Sequence, residues 1–328
     1  MTIPRAKIMG TGSSLPDRVL TNHDLEKMVE TSDTWITTRT GIKERRIASE
    51  GEYTSTFATR AALRALEMAS VSPNDLDLII CGTVTPDFPF PSTACIVQHN
   101  LGATRAAAFD VSAACSGFLY GLCLAEKFIR SGAASHVLVI GAEVLSRVVD
   151  WTDRNTCCLF GDGAGAVVVS AHEGSSGILS THIYSNGSHW DLLHQPGAGS
   201  RNPASQQLLD SGQIFIKMQG NEVFKLAVRA MEDAAHAALT ANGFTMVDLD
   251  FFIPHQANRR IIDAIGKRLN LSEEKLFVNV ERYGNTSSAS IPIALDEANR
   301  AGLLKHDALV LLDAFGGGLT WASVLMKW

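Results

Sequence analysis

One stretch of this sequence suits chemistry at sulfur: Asp110-Val111-Ser112-Ala113-Ala114-Cys115-Ser116-Gly117-Phe118. It reads as a short apolar strand end, a run of small residues with one thiol, and a glycine opening an apolar helix to about Arg130. A thiol beside a helix N-terminus meets partial positive charge, which favours thiolate over thiol. Small neighbours leave room for a reactant to reach the sulfur. The stretch therefore marks Cys115 as a nucleophile able to take up an acyl group. The competing reading of any cysteine in apolar surroundings is a small buried hydrophobe. Cys81, Cys95, Cys123, Cys157 and Cys158 read that way. None of the six forms a CxxC pair, so neither a zinc site nor a redox dithiol is indicated.

Three other positions could serve such a nucleophile. His255, in Pro254-His255-Gln256-Ala257-Asn258, directly follows the apolar run Phe251-Phe252-Ile253. That puts it at the C-terminal end of a buried strand, where open α/β sheets hold their ligands. A lone histidine is more often structural, and His172, His236 and His306 lie in polar or helical contexts. Asn285, in Gly284-Asn285-Thr286-Ser287, reads alone as a turn residue. Gly316-Gly317-Gly318 offers backbone N–H groups without side chains, suited to an oxyanion hole, or else a flexible turn.

The elements that must position these residues occur twice. Strands alternate with helices, the pattern of a largely parallel buried sheet with helical cover. Asp75-Leu76-Asp77-Leu78-Ile79-Ile80 returns 173 residues later as Asp248-Leu249-Asp250-Phe251-Phe252-Ile253. Arg130-Ser131-Gly132 returns 170 later as Arg300-Ala301-Gly302, and Phe160-Gly161-Asp162-Gly163 is echoed by Phe315-Gly316-Gly317-Gly318. Three echoes in one order predict two related α/β halves, 1–173 and 174–328. The same offset carries Cys115 into positions 285 to 288, another small-residue run opening a helix. If the halves pack about a pseudo-twofold axis, the two turns meet, and Asn285 becomes a hydrogen-bond donor opposite Cys115. Gly10-Thr11-Gly12 reads as a tight turn ending a first strand, and Ser188 to Leu209 as a long polar loop.

Bulk properties narrow the class. With 328 residues and 46% hydrophobic content the chain can build a large core. The N-terminal residues lack the apolar core of a secretory signal, and no apolar run is long enough to span a bilayer. A cytoplasmic, reduced setting is expected. The net charge of −6 disfavours nucleic acid, so an acidic partner would need a local basic patch.

Together Ala113-Ala114-Cys115-Ser116-Gly117-Phe118, Pro254-His255-Gln256-Ala257-Asn258, Gly284-Asn285-Thr286-Ser287 and Phe315-Gly316-Gly317-Gly318-Leu319-Thr320-Trp321 resemble the β-ketoacyl-acyl carrier protein synthase III family. The resemblance extends over essentially the whole chain, including Thr31-Ser32-Asp33 with Trp35 and Arg39-Thr40-Gly41-Ile42. It implies the thiolase-like duplicated αβαβα fold, with mostly parallel central sheets. It also implies a two-stage acyl transfer that initiates fatty-acid synthesis. Cys115 accepts an acyl group from a short acyl-CoA, acetyl-CoA by this comparison, and the backbone N–H groups of Cys115 and Gly317 hold the oxyanion. Malonyl-acyl carrier protein then loses CO2, and His255 and Asn285 stabilise the enolate that attacks the acyl-cysteine. No metal or cofactor is implied, since acyl-CoA is a substrate.

Further roles follow from the same resemblance. Trp35 and Arg154 match a pair that sandwiches the CoA adenine, and Arg39 a phosphate contact. Alone, the Thr31–Arg46 stretch reads as a solvated basic loop. Asn221 and Asn258 match residues near the pantetheine arm. Phe90 matches a residue limiting the acyl pocket, placed there by the other subunit of a homodimer. Asn155 departs from the family pattern, where glycine is common beside the stacking arginine. Lys225, Arg260 and Lys267, with Arg229, Arg259 and Arg268, form a candidate docking patch for the acidic carrier. Two other classes compete: a papain-like cysteine hydrolase, which shares the Cys, His, Asn order, and a non-catalytic acyl-CoA binding protein. Within the family, a secondary-metabolite synthase shares the same motifs.

Overall fold

Leu78–Gly82 carries no charged side chain and is buried along its whole length, which suits a strand covered on both faces. In the structure, a computed structural model that describes residues 4–328, this segment lies inside a five-stranded sheet. The sheet comprises β1 (Arg5–Ser14), β2 (Leu78–Gly82), β3 (Ala107–Val111), β4 (His136–Val144) and β5 (Asp162–His172), in the order β1-β5-β4-β2-β3. A second sheet comprises β6 (Gly177–Ser185), β7 (Phe251–Pro254), β8 (Leu309–Gly316) and β9 (Thr320–Lys327), in the order β7-β8-β9-β6.

Parallel pairing holds where the site is built: β2 with β3 and β4, and β7 with β8. The pairs β4–β5, β5–β1, β8–β9 and β9–β6 are antiparallel, so a single strand in each sheet, β5 or β9, runs against the others and both sheets are mostly parallel, as expected. The link between β8 and β9 shows why β9 runs against β8. Gly317, Gly318 and Leu319 are too few for a crossover, so the chain turns back on itself.

Seven helices matter for the site. They are α1 (Asp33–Thr40), α2 (Thr54–Ala69), α3 (Gly117–Arg130), α4 (Arg154–Cys157), α5 (Gly220–Thr240), α6 (Arg259–Arg268) and α7 (Ser290–Arg300). Alternation along the strands sorts them into layers. Leu78 and Ile80 face a core shared with Phe118 and Leu122 of α3, Ile291 and Leu295 of α7, and Val310 and Leu312 of β8. Ile79 and Cys81 face α2 on the other side. Leu309 and Leu311 face α5 and α6. Helix α3 and helix α7 thus run between the two sheets, with one outer helical layer on each side.

The duplication is visible in the backbone. β2 and β7, β4 and β8, and α3 and α7 each start 173 residues apart. Before α3 the chain turns through Ala114 at φ +46°, and before α7 through Ser287 at φ +49°. Left-handed backbone at a non-glycine residue is costly, so its recurrence at equivalent positions marks a turn the packing requires. The offset makes Ser288 the counterpart of Cys115, and Ser112 the counterpart of Asn285. Asn285 therefore sits beside the turn equivalent to that of Cys115 and is not the direct counterpart of Cys115.

Two expectations about loops change. Gly10 and Gly12 lie within β1, which continues to Ser14, and do not form a turn. A side chain at either would run into a carbonyl of α2, so glycine here serves close helix–strand packing. The Ser188–Leu209 region contains a short strand, Leu193–His194, paired with Lys217–Met218, and a helix, Gln206–Asp210. The same close packing predicts a stability effect at Gly141 of β4, where an added methyl would collide with the Ser288 carbonyl. Gly141→Ala should cost about 1–3 kcal/mol through overpacking, read as a lower melting temperature.

Candidate active site

The turn that carries Cys115 is held at several points. The Thr320 hydroxyl donates to the Ala113 carbonyl at 2.8 Å, and the Ser116 hydroxyl to the Thr320 carbonyl at 3.1 Å. Gly316 packs directly on the turn, and a Cβ there would stand 2.6 Å from the Cys115 nitrogen. Cys115 thus sits rigidly before α3, which opens at Gly117.

The sequence suggests a thiol biased toward thiolate. The structure corrects this: burial pushes the Cys115 pKa up to about 11, and the hydroxyl of Ser287 and the N–H groups of Cys115 and Gly317 recover only part of that. Cys115 is only 6% exposed, so the desolvation cost of a thiolate outweighs the nearby donors. Those two N–H groups are the pair expected to hold an oxyanion.

His255 follows β7 and is buried. Its N–H donates to the Asp313 carbonyl at 2.8 Å, which continues the β7–β8 ladder by one residue. Its Nδ1 lies 2.6 Å from Ser290 Oγ, which also accepts from the Gln256 N–H at 3.3 Å. The Ser290 hydroxyl proton is free to be donated to Nδ1, the tautomer in which the imidazole proton sits on Nε2. Burial lowers the His255 pKa to about 3, so the ring is neutral near pH 7.

Asn285 is fixed through its backbone. Its N–H donates to the Leu159 carbonyl at 2.8 Å, and its carbonyl accepts from the Gly161 N–H at 3.0 Å. Its Oδ1 accepts from the Ser287 N–H at 2.8 Å, which settles the amide orientation and leaves Nδ2 as the donor on the cavity side.

Cys115, His255 and Asn285 line one cavity of about 800 Å³. Its far end is lined by Arg39, Asn155, Asn221, Lys225, Asn258 and Arg260. A second cavity of about 280 Å³ opens from Cys115 and Gly317 among Val84, Val148, Phe160, Leu193 and Ile216. Among the described residues, no three His, Cys, Asp or Glu side chains are grouped to hold a metal ion.

The comparisons fit this geometry. Residues 109–187 match the sequence profile of 3-oxoacyl-[acyl-carrier-protein] synthase III, and residues 239–328 that of its C-terminal part. The β-ketoacyl-[acyl-carrier-protein] synthase III of Caldanaerobacter subterraneus subsp. tengcongensis is 57% identical over 98% of each chain. The chain belongs to the 3-oxoacyl-[acyl-carrier-protein] synthase III family. The relative from Natranaerobius thermophilus is 56% identical over 98% of this chain and 99% of its own. The crystal structure of the Aquifex aeolicus synthase III superposes with a TM-score of 0.92 at 54% identity, covering 98% of this chain and all of that one.

The peripheral positions expected from the synthase III resemblance divide. Arg39 and Arg154 lie 4.7 and 5.0 Å from the centroid of the Trp35 ring. A flat base between Trp35 and Arg154 needs about 7 Å, two stacking distances, so the arginine must move to admit one. Asn258 caps α6: its Oδ1 accepts from the Arg260 N–H at 2.8 Å and its Nδ2 donates to the Arg39 carbonyl at 3.3 Å. Both ends of its amide are thus engaged within the chain. Asn155 is held to Asp153 and lines the cavity. Phe90 is 85% exposed and lines neither cavity within this chain. Lys225 pairs with Glu222 at 2.8 Å, Arg260 rests over Phe224, and Lys267 stands exposed on α6, away from the cavity lining.

Sequence reasoning passed over Ser290, Ser287 and Glu143. The serines lay in the small-residue run, where nothing distinguished one hydroxyl from another. Nothing in its sequence context marked Glu143, whose charge bears on Cys115 only through the fold.

Proposed function

We propose that this synthase III family member joins a short acyl-CoA to malonyl-acyl carrier protein through an acyl-Cys115 intermediate. The observation that carries the reading is one cavity offering a thiol, the Nε2–H of a neutral imidazole and a carboxamide N–H together. In the first stage the Cys115 sulfur attacks the thioester carbonyl, the Cys115 and Gly317 N–H groups hold the oxyanion, and CoA leaves. In the second, malonyl carrier loses CO2. His255 Nε2–H and Asn285 Nδ2–H hold the enolate oxygen without protonating its carbon, and that carbon attacks the acyl-cysteine. Decarboxylation supplies the carbanion, so no cofactor is needed.

Asn285 also separates this reading from a papain-like hydrolase. There the amide orients the histidine. Here Ser290 orients His255, and Asn285 turns its own N–H group to the cavity.

The long cavity suits CoA and the carrier's pantetheine arm, with Trp35, Arg39 and Arg154 toward the nucleotide and Asn221 and Asn258 along the arm. The small apolar cavity suits the acyl group. Phe88 and Phe90 are exposed near the open edge strand β3, a face that a second copy would cover, bringing Phe90 to its partner's acyl cavity. The six free cysteines suit a reduced, cytoplasmic setting, and among the described residues no helix is long and apolar enough to cross a membrane. Lys225 and Arg260 at the mouth suit an acidic carrier. Lys225→Glu with Arg260→Glu should raise KM for malonyl carrier about tenfold or more, given a few kcal/mol for opposed like charges, while acylation by acyl-CoA stays near wild type. Steady-state kinetics in each substrate test this. Equal losses for both substrates would remove the docking role.

A further inference from the structure

Two thiols stand side by side behind the cavity wall. Cys157 ends the one-turn helix α4, Cys158 follows it, and their sulfurs lie 3.9 Å apart. Both are buried in a core with Leu25, Ile36 and Ile42. Arg45, beside them, is also fully buried. Among the described residues its guanidinium donates to neutral oxygens: the Cys158 carbonyl at 2.8 Å, Asn22 Oδ1 at 2.9 Å and the Leu20 carbonyl at 3.2 Å. Its Nε has no partner. A buried cation without a counter-ion is costly, so this place favours an anion on the neighbouring sulfur.

The chain that leaves the pair is tied to the site. Leu159 and Phe160 line the cavity that holds Cys115. The Leu159 carbonyl accepts from the Asn285 N–H at 2.8 Å, and the Gly161 N–H donates to the Asn285 carbonyl at 3.0 Å. A change of backbone at Cys158 is therefore felt at Asn285 through one intervening residue.

We propose that Cys157 and Cys158 form a redox-modification site, closed to a disulfide by a small peroxide and coupled to Asn285 through Leu159. The Cys158 thiolate attacks one oxygen of hydrogen peroxide and the O–O bond breaks, which leaves a sulfenic acid on Cys158. The released hydroxide takes up the proton that Cys158 had given up and becomes water. The Cys157 sulfur then bonds to the Cys158 sulfur, and the sulfenic hydroxyl departs with the Cys157 proton as a second water. Two thiols lose two electrons and one peroxide is reduced to two waters. The effect on Asn285 rests on the acyl-transfer reading above.

The pair divides the roles. The hydrogen bond from Cys157 lowers the Cys158 pKa, Arg45 adds to this, and burial opposes both. The same hydrogen bond, together with burial, raises the Cys157 pKa. Cys158 is thus the attacking sulfur and Cys157 the resolving one. Successive Cα atoms stand about 3.8 Å apart across a trans peptide, short of the usual disulfide span, so the closed bond is strained and readily reduced. Bringing the sulfurs from 3.9 Å to about 2 Å turns the peptide between them, which draws the Cys158 carbonyl from Arg45 and shifts Leu159. A single helical turn opens locally with little cost, and α4 so admits a reactant as small as hydrogen peroxide.

The acyl-enzyme formed with acetyl-CoA, in which the acetyl group shields Cys115, provides the test. It is treated with hydrogen peroxide, freed of peroxide, and divided between peptide mass analysis and discharge by malonyl carrier. The peptide holding Cys157 and Cys158 should lose the mass of two hydrogens and regain it with dithiothreitol. Discharge should fall about 100-fold, as for loss of one donor to the developing oxyanion, and return on reduction. Cys157→Ala and Cys158→Ala should discharge normally before and after peroxide, and dimedone should trap a sulfenic acid on Cys158 in Cys157→Ala. Thiols at 157 and 158 that stay reduced in peroxide would overturn the site. A disulfide that leaves discharge unchanged would overturn its coupling to Asn285. A wild type that never acylates would overturn the acyl-transfer reading alone, since the peptide mass of the peroxide-treated protein still decides the disulfide.

Discussion

Cys115→Ala leaves no acyl adduct with any acyl-CoA and lowers condensation by roughly 10⁴-fold or more, the scale on which removal of a nucleophile acts. The argument lies in the geometry. Cys115 joins the cavity shared with His255 and Asn285 to the small apolar cavity, and it is the only cysteine lining either. Cys123 and Cys157, though buried too, line neither. The alanine removes one sulfur from a turn still held by Thr320 and Ser116, so folding should be kept. His255 and Asn285 keep their supports, so the variant should still decarboxylate malonyl carrier. Intact mass after acetyl-CoA and release of CO2 from malonyl carrier separate the two stages. An adduct that persists in Cys115→Ala would place the nucleophile elsewhere.

The Cys115 turn and its helix were legible because small residues, a thiol and an apolar helix stand consecutively in the chain. The duplicated frame was legible because buried strands repeat their apolar runs at a fixed offset. Electrostatic state was not. Whether Cys115 is a thiolate depends on how completely two sheets and two helices exclude water from it, which no local spacing records. The neutral form of His255 has the same origin, and its tautomer rests on Ser290, 35 residues away. Glu143 escaped notice because its neighbours Thr83, Thr85 and Ser287 come from two other segments. That β9 runs against its neighbours is set by its short connection to β8, which the apolar pattern does not carry. The Trp35–Arg154 contact shows the other limit: residue types suggest a base-stacking pair, yet the spacing between them appears only in three dimensions.

His255→Ala and Asn285→Ala should each still form the acyl-enzyme but lose decarboxylation of malonyl carrier by about 10²–10³-fold, the cost of removing one preorganised donor to a developing oxyanion. Neither side chain is among the groups that set the Cys115 pKa, which are Ser287, Glu143 and the two backbone N–H groups. In the proposed mechanism both serve a different reaction, the one in which negative charge appears on a thioester oxygen as CO2 departs. A neutral donor is the right kind here, because a charged imidazolium could protonate the enolate and end the condensation. Burial secures this. With a pKa of about 3, His255 keeps one proton, on Nε2, from pH 5 to 8, so the decarboxylation step should show no histidine limb in that range. The linkage runs toward acid: below the ordinary histidine pKa of 6.5 the unfolded chain binds a proton that the folded site refuses. His255 therefore costs stability as pH falls from about 6.5 toward 3, and His255→Ala should flatten the acid side of the melting profile. Ser290→Ala supplies the finer distinction, since it keeps the ring and frees its tautomer. It should lower decarboxylation by less than His255→Ala and leave acylation unchanged. Loss of acylation alone in the His255 or Asn285 variant would instead assign these groups to the first stage.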